Sequence, residues 1–283
     1  MNALNPNPPA EHIHAHGDSD PELNSQPKLG AALIVDEVSF RYPEGRAALN
    51  RISFQVAPGE TIGLIGPNGA GKSTLLLLLT GLLGLSSRTG SISVGGITLG
   101  EKTAPEMRRR IGLLFQDPDD QLFSPTVGED VAFGPEQSGL PPTAVDRRVK
   151  EALNAVGLSG TEARLSHRLS LGEKKRVCLA GVLACRPELL LFDEPTANLD
   201  PRGRREFVEL CRKLSATKLV ASHDLEMILA LCQRVLLLDR GALVASGDAR
   251  VVLGNEPLML EHGLEKPHSL FHHHPHGEIP PPD

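Results

Sequence analysis

Hydrophobic spacing changes twice along the chain. Over the first hundred residues, short β-branched or alternating runs are cut by Gly and Pro: Leu33-Ile34-Val35, Val38 to Tyr42, Ile52 to Val56 and Ser91 to Val94. Such runs predict a β-rich layer. Thr61 to Ile65 forms a further apolar strand, with a leucine-rich helix from Thr74 to Leu83 just behind it. Between Lys102 and Leu165 helical segments such as Asp146 to Val156 alternate with turn-rich Asp117-Pro118-Asp119-Asp120 and Gly139 to Pro142, which predicts an inserted helical subdomain. Fully apolar strands then return at Leu189 to Phe192, Lys218 to Ala221 and Val235 to Leu238, with helices between them. Strands apolar on both faces belong to a largely parallel sheet covered by helices, so the predicted class is α/β.

Composition narrows this picture. The 283 residues are 40% hydrophobic, enough for a substantial core, and the net charge of −6 argues against a nucleic-acid partner. Residues 1–29 and 261–283 are rich in Pro, His and polar residues without apolar periodicity, so both are expected to be disordered tails around a domain spanning 30–260. The longest apolar run, Leu75 to Leu85, is broken by Thr80 and Gly81. It falls short of the ~20 residues that cross a bilayer, and is expected to be a core helix. With no charged-then-apolar leader at the start, the protein is expected in the cytoplasm. Cys178, Cys185, Cys211 and Cys232 contain no C-x-x-C pair and fit reduced, buried thiols.

The strongest chemical signal is Gly66-Pro67-Asn68-Gly69-Ala70-Gly71-Lys72-Ser73-Thr74, which satisfies G-x-x-x-x-G-K-[ST] between a strand and a helix. Glycine at these positions lets backbone amides close around phosphate, and the helix start adds its positive dipole end. Lys72 is expected at the β- and γ-phosphates of ATP and the Ser73 hydroxyl on Mg2+. A second signal is the pair Asp193-Glu194 at the tip of the apolar strand ending at Phe192. Asp193 is expected to hold the nucleotide's Mg2+, and Glu194 to orient or deprotonate the attacking water.

Gln116 after the strand Gly112 to Phe115, Leu169-Ser170-Leu171-Gly172-Glu173, Ala197-Asn198-Leu199-Asp200 and Ser222-His223-Asp224 follow in a fixed order. In this combination the chain resembles the nucleotide-binding subunits of ABC transporters, from Leu33 to about Leu253. The resemblance implies a P-loop fold of the ABC type, with an N-terminal antiparallel β layer and the helical subdomain. It implies that Tyr42 stacks on adenine, that Gln116 senses Mg2+ and the transmembrane partner, and that His223 contacts the γ-phosphate. It further implies a head-to-tail dimer, homo- or heteromeric, in which Ser170 and Gly172 donate to the γ-phosphate held by the other subunit. Leu199 and Asp200 match the loop that joins the two sites. The family's usual Leu-Ser-Gly-Gly-Gln is altered here to Leu171 and Glu173, which brings a β-carbon and a negative charge toward the phosphates. Lys174, Lys175 and Arg176 are expected either to offset that charge or to form a solvated face.

The stretch from Leu114 to Pro135 is similar to the energy-coupling-factor branch, whose ATPases drive uptake of cobalt, nickel or vitamins. That implies transmembrane coupling and substrate-binding subunits, and a peripheral position on the inner face of the cell membrane. Leu122, Phe123 and Val127 are expected either to receive a membrane subunit's helix or to be core residues of the helical subdomain. Nine of the eleven histidines lie outside the expected domain: His12, His14, His16, His262, His268, His272, His273, His274 and His276. Imidazole suits nickel, cobalt, copper and zinc, which favours metal over vitamin as the cargo. A soluble ABC ATPase acting on DNA or ribosomes is the alternative from another class, and it ranks low because the chain has neither a coiled-coil insertion nor a second ATPase domain.

Overall fold

The computed structural model describes residues 32–84 and 87–271. Residues 33–98 supply a four-stranded antiparallel sheet of order β2-β1-β4-β5. Its strands are β1 (Leu33–Arg41), β2 (Ala47–Val56), β4 (Arg88–Val94) and β5 (Ile97–Thr98). The two runs Leu33–Val35 and Val38–Tyr42 are one strand, bent where Glu37 takes a left-handed φ of 50° and the register with β2 shifts.

The second sheet has the order β10-β9-β3-β8-β7-β6. It is made of β3 (Thr61–Ile65), β6 (Ile111–Leu114), β7 (Leu189–Asp193), β8 (Thr217–Ala221), β9 (Arg234–Asp239) and β10 (Ala242–Asp248). Every pairing in it is parallel except β9 with β10. The period-2 geometry of a strand explains why these segments read as unbroken apolar runs. Ile62, Leu64, Leu189, Leu191, Leu219, Leu236 and Leu238 enter the core shared with the antiparallel sheet. Ile65, Leu190, Phe192, Val220, Val235 and Leu237 enter the opposite core, under the helices.

The helices are α1 (Lys72–Leu79), α2 (Ala104–Arg110), α3 (Val127–Gln137), α4 (Pro142–Ala155) and α5 (Leu171–Ala184). They continue with α6 (Pro201–Lys213), α7 (Leu225–Leu231), α8 (Ala249–Gly254) and α9 (Glu256–Glu261). Helix α1 is shorter than the leucine run predicted. Thr80 caps it, Gly81 turns left-handed at φ 68°, and Leu82 is exposed. Leu75, Leu76, Leu78 and Leu79 are fully buried, each contributing about 2 kcal/mol of burial.

The expected helical insertion between 102 and 165 also differs in its bounds. Within it, β6 belongs to the central sheet, and the helical cluster is completed only by α5, which packs on α3 and α4. At the C-terminal end the packed body continues past residue 260. Leu264 is buried, His262 Nδ1 lies 2.9 Å from Asp239 Oδ2, and Ser269 donates to the Glu226 carboxylate. His262 and His268 therefore belong to the body, whereas His12, His14, His16, His272, His273, His274 and His276 lie outside the described residues.

Candidate nucleotide site

Parallel pairing brings the C-terminal tips of β3, β8, β7 and β6 to one edge of the sheet, the edge where open α/β sheets hold ligands. The loop after β3 turns back on the sheet so closely that only glycine fits. A Cβ on Gly66 would lie 2.0 Å from the Leu238 carbonyl, and one on Gly71 2.8 Å from that of Ala48, both at positive φ. The residues from Gly66 to Gly71 thus form a glycine-rich loop that feeds straight into α1, whose first turn is Lys72, Ser73 and Thr74.

Lys72 is buried, and its ammonium donates to the carbonyls of Gly66 at 2.8 Å and Pro67 at 3.1 Å. Burial pushes the amine below the usual lysine range, while the charges of Glu194 and Asp193 oppose that shift. Burial raises the Asp193 carboxyl. A hydrogen bond with Ser73 lowers it, Glu194 raises it and Lys72 lowers it again. Ser73 and Asp193 thus set two hard oxygen donors side by side next to a cationic loop, a donor set that fits Mg2+.

Glu194 follows directly, with a left-handed φ of 44° that is uncommon for a residue bearing a Cβ. The turn is held because its N–H donates to the Ala221 carbonyl at the tip of β8. Its carboxylate is largely buried and fully engaged. Oε2 accepts from Ser222 Oγ at 2.7 Å, and Oε1 accepts from the His223 N–H at 2.9 Å and meets His223 Nδ1 at 2.8 Å. The imidazole itself is 64% exposed, so it can reach a ligand without leaving Glu194.

The structure therefore joins Lys72, Ser73, Asp193, Glu194 and His223 in one cluster. Tyr42 sits beside the loop, its hydroxyl 3.0 Å from Thr74 Oγ1 and its ring packed edge-on against Phe40 and under the Arg46 guanidinium. Gln116 lies just beyond β6 and is exposed, and its carbonyl accepts a hydrogen bond from Lys175 Nζ. Ser170 and Gly172 are not part of this cluster. They open α5, where Ser170 is the N-cap. Asp200 caps α6 by accepting from the Gly203 N–H at 2.6 Å.

Three expectations are corrected. Glu173 does not present a loose charge: its Oε2 accepts from the Ser170 N–H and hydroxyl at 2.9 Å each, closing a capping box, and Arg164 binds Oε1 at 2.7 Å. The Arg164 hydrogen bond, followed by that of the Ser170 amide, holds its carboxyl at about 2. Arg164, outside the basic run, supplies the compensation, while Lys174 pairs with Asp119, Arg176 with Glu206, and Lys175 is buried. Of the apolar face at Leu122, Phe123 and Val127, Val127 is wholly inside the core and Leu122 packs against it. Phe123 is instead paired on the surface with Phe133, ring centroids 4.8 Å apart.

Sequence reasoning missed Ser222, fully buried and bonded to Glu194, and Lys175. Ser222 was in view as part of Ser222-His223-Asp224, and its place after an apolar strand was the available signal. Lys175 was hidden by two basic neighbours. The four cysteines are free: Cys178, Cys211 and Cys232 are buried, with thiols raised to about 12 by burial, and Cys185 is half-buried. Among the described residues no three His, Cys, Asp or Glu are grouped as a metal site, and no helix is long and apolar enough to cross a membrane.

Residues 49–197 match the ABC transporter family. A putative ABC transporter ATP-binding protein of Gloeobacter violaceus is 52% identical over 240 residues, covering 84% of this chain and 98% of its own. The energy-coupling factor transporter ATP-binding protein EcfA of Methanothermobacter thermautotrophicus is 43% identical over 82% of this chain and 75% of its own. Among solved structures, cbiO1 of Clostridium perfringens, part of the ABC transporter complex cbiONQ, superposes with a TM-score of 0.73 at 35% identity, covering 82% of this chain and 94% of that one.

Proposed function

This chain belongs to the ABC transporter family as an ATPase, and we propose that it is the ATP-hydrolysing subunit of an energy-coupling-factor importer that closes as a dimer on ATP and drives uptake of nickel or cobalt. The observation that carries the reading is the Glu194 carboxylate, held by Ser222 and His223 at the sheet edge that also bears Lys72, Ser73 and Asp193. In this reading, amides of Gly66 to Thr74 cradle the phosphates, and Lys72 exchanges the Gly66 and Pro67 carbonyls for phosphate oxygens. Ser73 and Asp193 would hold Mg2+, with Gln116 alongside; bound there, the ion neutralises phosphate charge. Glu194 orients the attacking water and takes its proton. His223 stays beside Glu194 through Nδ1 while its exposed ring faces outward toward the γ-phosphate, and Tyr42 offers its ring to adenine.

Dimerisation is supported by the start of α5. The amides of Leu171 and Gly172, at N1 and N2, have no partner within the helix. A Cβ on Gly172 would make only an ordinary 3.8 Å contact with Leu199. Among the described residues nothing demands glycine there, which fits a phosphate brought by the other subunit. Because Glu194 and His223 are both present, two copies of this chain would give two complete sites. The exposed Phe123–Phe133 pair suits an apolar helix of a membrane subunit. The histidines at both ends of the chain support a metal cargo, with His12, His14, His16, His272, His273, His274 and His276 as a loose capture set.

The test is nickel and cobalt accumulation at scarce external metal in cells carrying the native chain or Glu194→Gln. Loss of one ion in the variant identifies the cargo. Unchanged accumulation of both, in cells lacking other importers, removes the metal reading and places vitamin uptake first.

A further inference from the structure

Helix α5 carries a cation where a core residue belongs. Lys175 is 2% exposed, and the buried residues that follow it, Val177, Cys178 and Leu179, are apolar. Burying an ammonium costs several kcal/mol unless its donors are used. Its partners are two main-chain carbonyls rather than a carboxylate: Nζ donates to Gln116 O at 3.0 Å and to Glu194 O at 3.4 Å. Burial lowers the amine from the usual lysine range, with Cys178, Asp117 and Glu194 opposing the shift.

The location of those carbonyls is what matters. Gln116 opens the loop after β6, and Glu194 is the left-handed turn after β7. That turn's carbonyl is otherwise met by the Ala197 N–H at 3.1 Å. The same helix grips the Gln116 loop at further points: Lys174 on Asp119, Cys178 Sγ on the Pro118 carbonyl, and the Cys178 carbonyl on Gln121 Nε2. Lys175 is one turn from Ser170 and Gly172, so a single side chain ties the start of α5 to both strand tips.

We propose that Lys175 is a positioning residue for ATP hydrolysis, fixing the Gln116 loop and the Glu194 turn to the segment that begins α5. An apolar residue would fill the space more cheaply, but it would leave the Gln116 and Glu194 carbonyls without this common donor. The side chain is buried and bonded to the Gln116 and Glu194 carbonyls rather than to the phosphate loop, so its removal acts on the geometry of Glu194 and Gln116.

This inference rests on Glu194 as the water-orienting group, and the experiment separates the two. ATPase kinetics, affinity for a fluorescent ATP analogue and thermal unfolding are measured for native protein, Lys175→Met, Lys175→Gln and Glu194→Gln. Lys175→Met is expected to lower kcat about ten-fold or more with nucleotide affinity within about two-fold. The glutamine is shorter but still donates, so Lys175→Gln is expected to recover part of that, about three-fold below native. Native kcat in Lys175→Met, an affinity loss matching the rate loss, or no recovery in Lys175→Gln at native melting temperature each overturns the assignment. Should the methionine variant not fold, the glutamine variant decides alone: a kcat loss at constant affinity sustains the proposal and native kcat overturns it. If Glu194→Gln is as fast as native, the Glu194 reading falls. If it is inactive and Lys175→Met is native, only Lys175 falls.

Discussion

At the tip of β7 and at the start of α5, a glutamate accepts hydrogen bonds from a serine hydroxyl, a main-chain amide and a third group. For Glu194 these are Ser222, the His223 amide and the His223 ring. For Glu173 they are the Ser170 hydroxyl, the Ser170 amide and Arg164. The third group separates them. A guanidinium is permanently charged, so Glu173 is pinned as an anion, with its carboxyl at about 2, and cannot serve as a base near neutral pH. An imidazole carries no permanent charge, so Glu194 is oriented by His223 without the fixed counter-charge that Arg164 gives Glu173. Two acids with nearly the same set of donors thus differ in setting, one anchoring a helix cap and the other at the sheet edge where we propose that it orients the attacking water.

The largest break in this comparison comes from removing each carboxylate's charge in turn. Glu194→Gln is expected to lower kcat at least about 100-fold, the size of a lost general base, while Glu173→Gln changes it less than about three-fold. Phosphate release at saturating ATP reads both. Equal losses would mean that the acid at α5 is also catalytic. A smaller effect is expected from Ser222→Ala, which removes the hydroxyl on Oε2 but leaves both His223 contacts. A drop in kcat of about ten-fold, with ATP affinity retained, would place orientation of Glu194 in the serine. An unchanged kcat would assign that orientation to His223 alone.

Most of the β7 side of this comparison was legible beforehand. An apolar strand ending in two acids is conspicuous, because buried strands rarely stop on paired carboxylates, and the glycine-lysine loop names the chemistry they face. The α5 side was legible only in part. Ser170 and Glu173 stand three apart in capping-box spacing, but the altered signature drew attention to the glutamate's charge rather than to its reach back to Ser170. Arg164 lies nine residues before Glu173, so no local pattern connects them, and the Thr126–Leu165 bridge that packs its segment is a tertiary contact. Lys175 was obscured for the same reason. Helical phase and chain packing, not residue type, decide which of three consecutive basic residues turns inward. The central strands β3, β7, β8 and β9 were read nearly residue for residue because burial on both faces makes them continuous, whereas the half-exposed edge strand β10 was not read. The end of α1 was not, since Gly81 stops the helix while the leucines run on.

The smallest expected effect concerns stability, and it tests whether Arg164 is what sets Glu173 apart. Glu173→Gln keeps the side chain that closes the capping box but loses the charge facing Arg164, which is 45% exposed. Solvent screens such a pair, so the loss at pH 7 is about 0.5–1 kcal/mol. The folded-state carboxyl lies at about 2 against an ordinary 4.5, so the native state favours the ionised form. Its stabilising contribution is therefore complete above pH 4.5 and fades as the pH falls toward 2. Denaturant unfolding of native and Glu173→Gln proteins from pH 7 downward is expected to show a gap that narrows once the pH passes below about 4.5. A gap constant across that window would trace the stability to the shape of the cap rather than to the ion pair, and the contrast between arginine and histidine partners would lose its electrostatic basis.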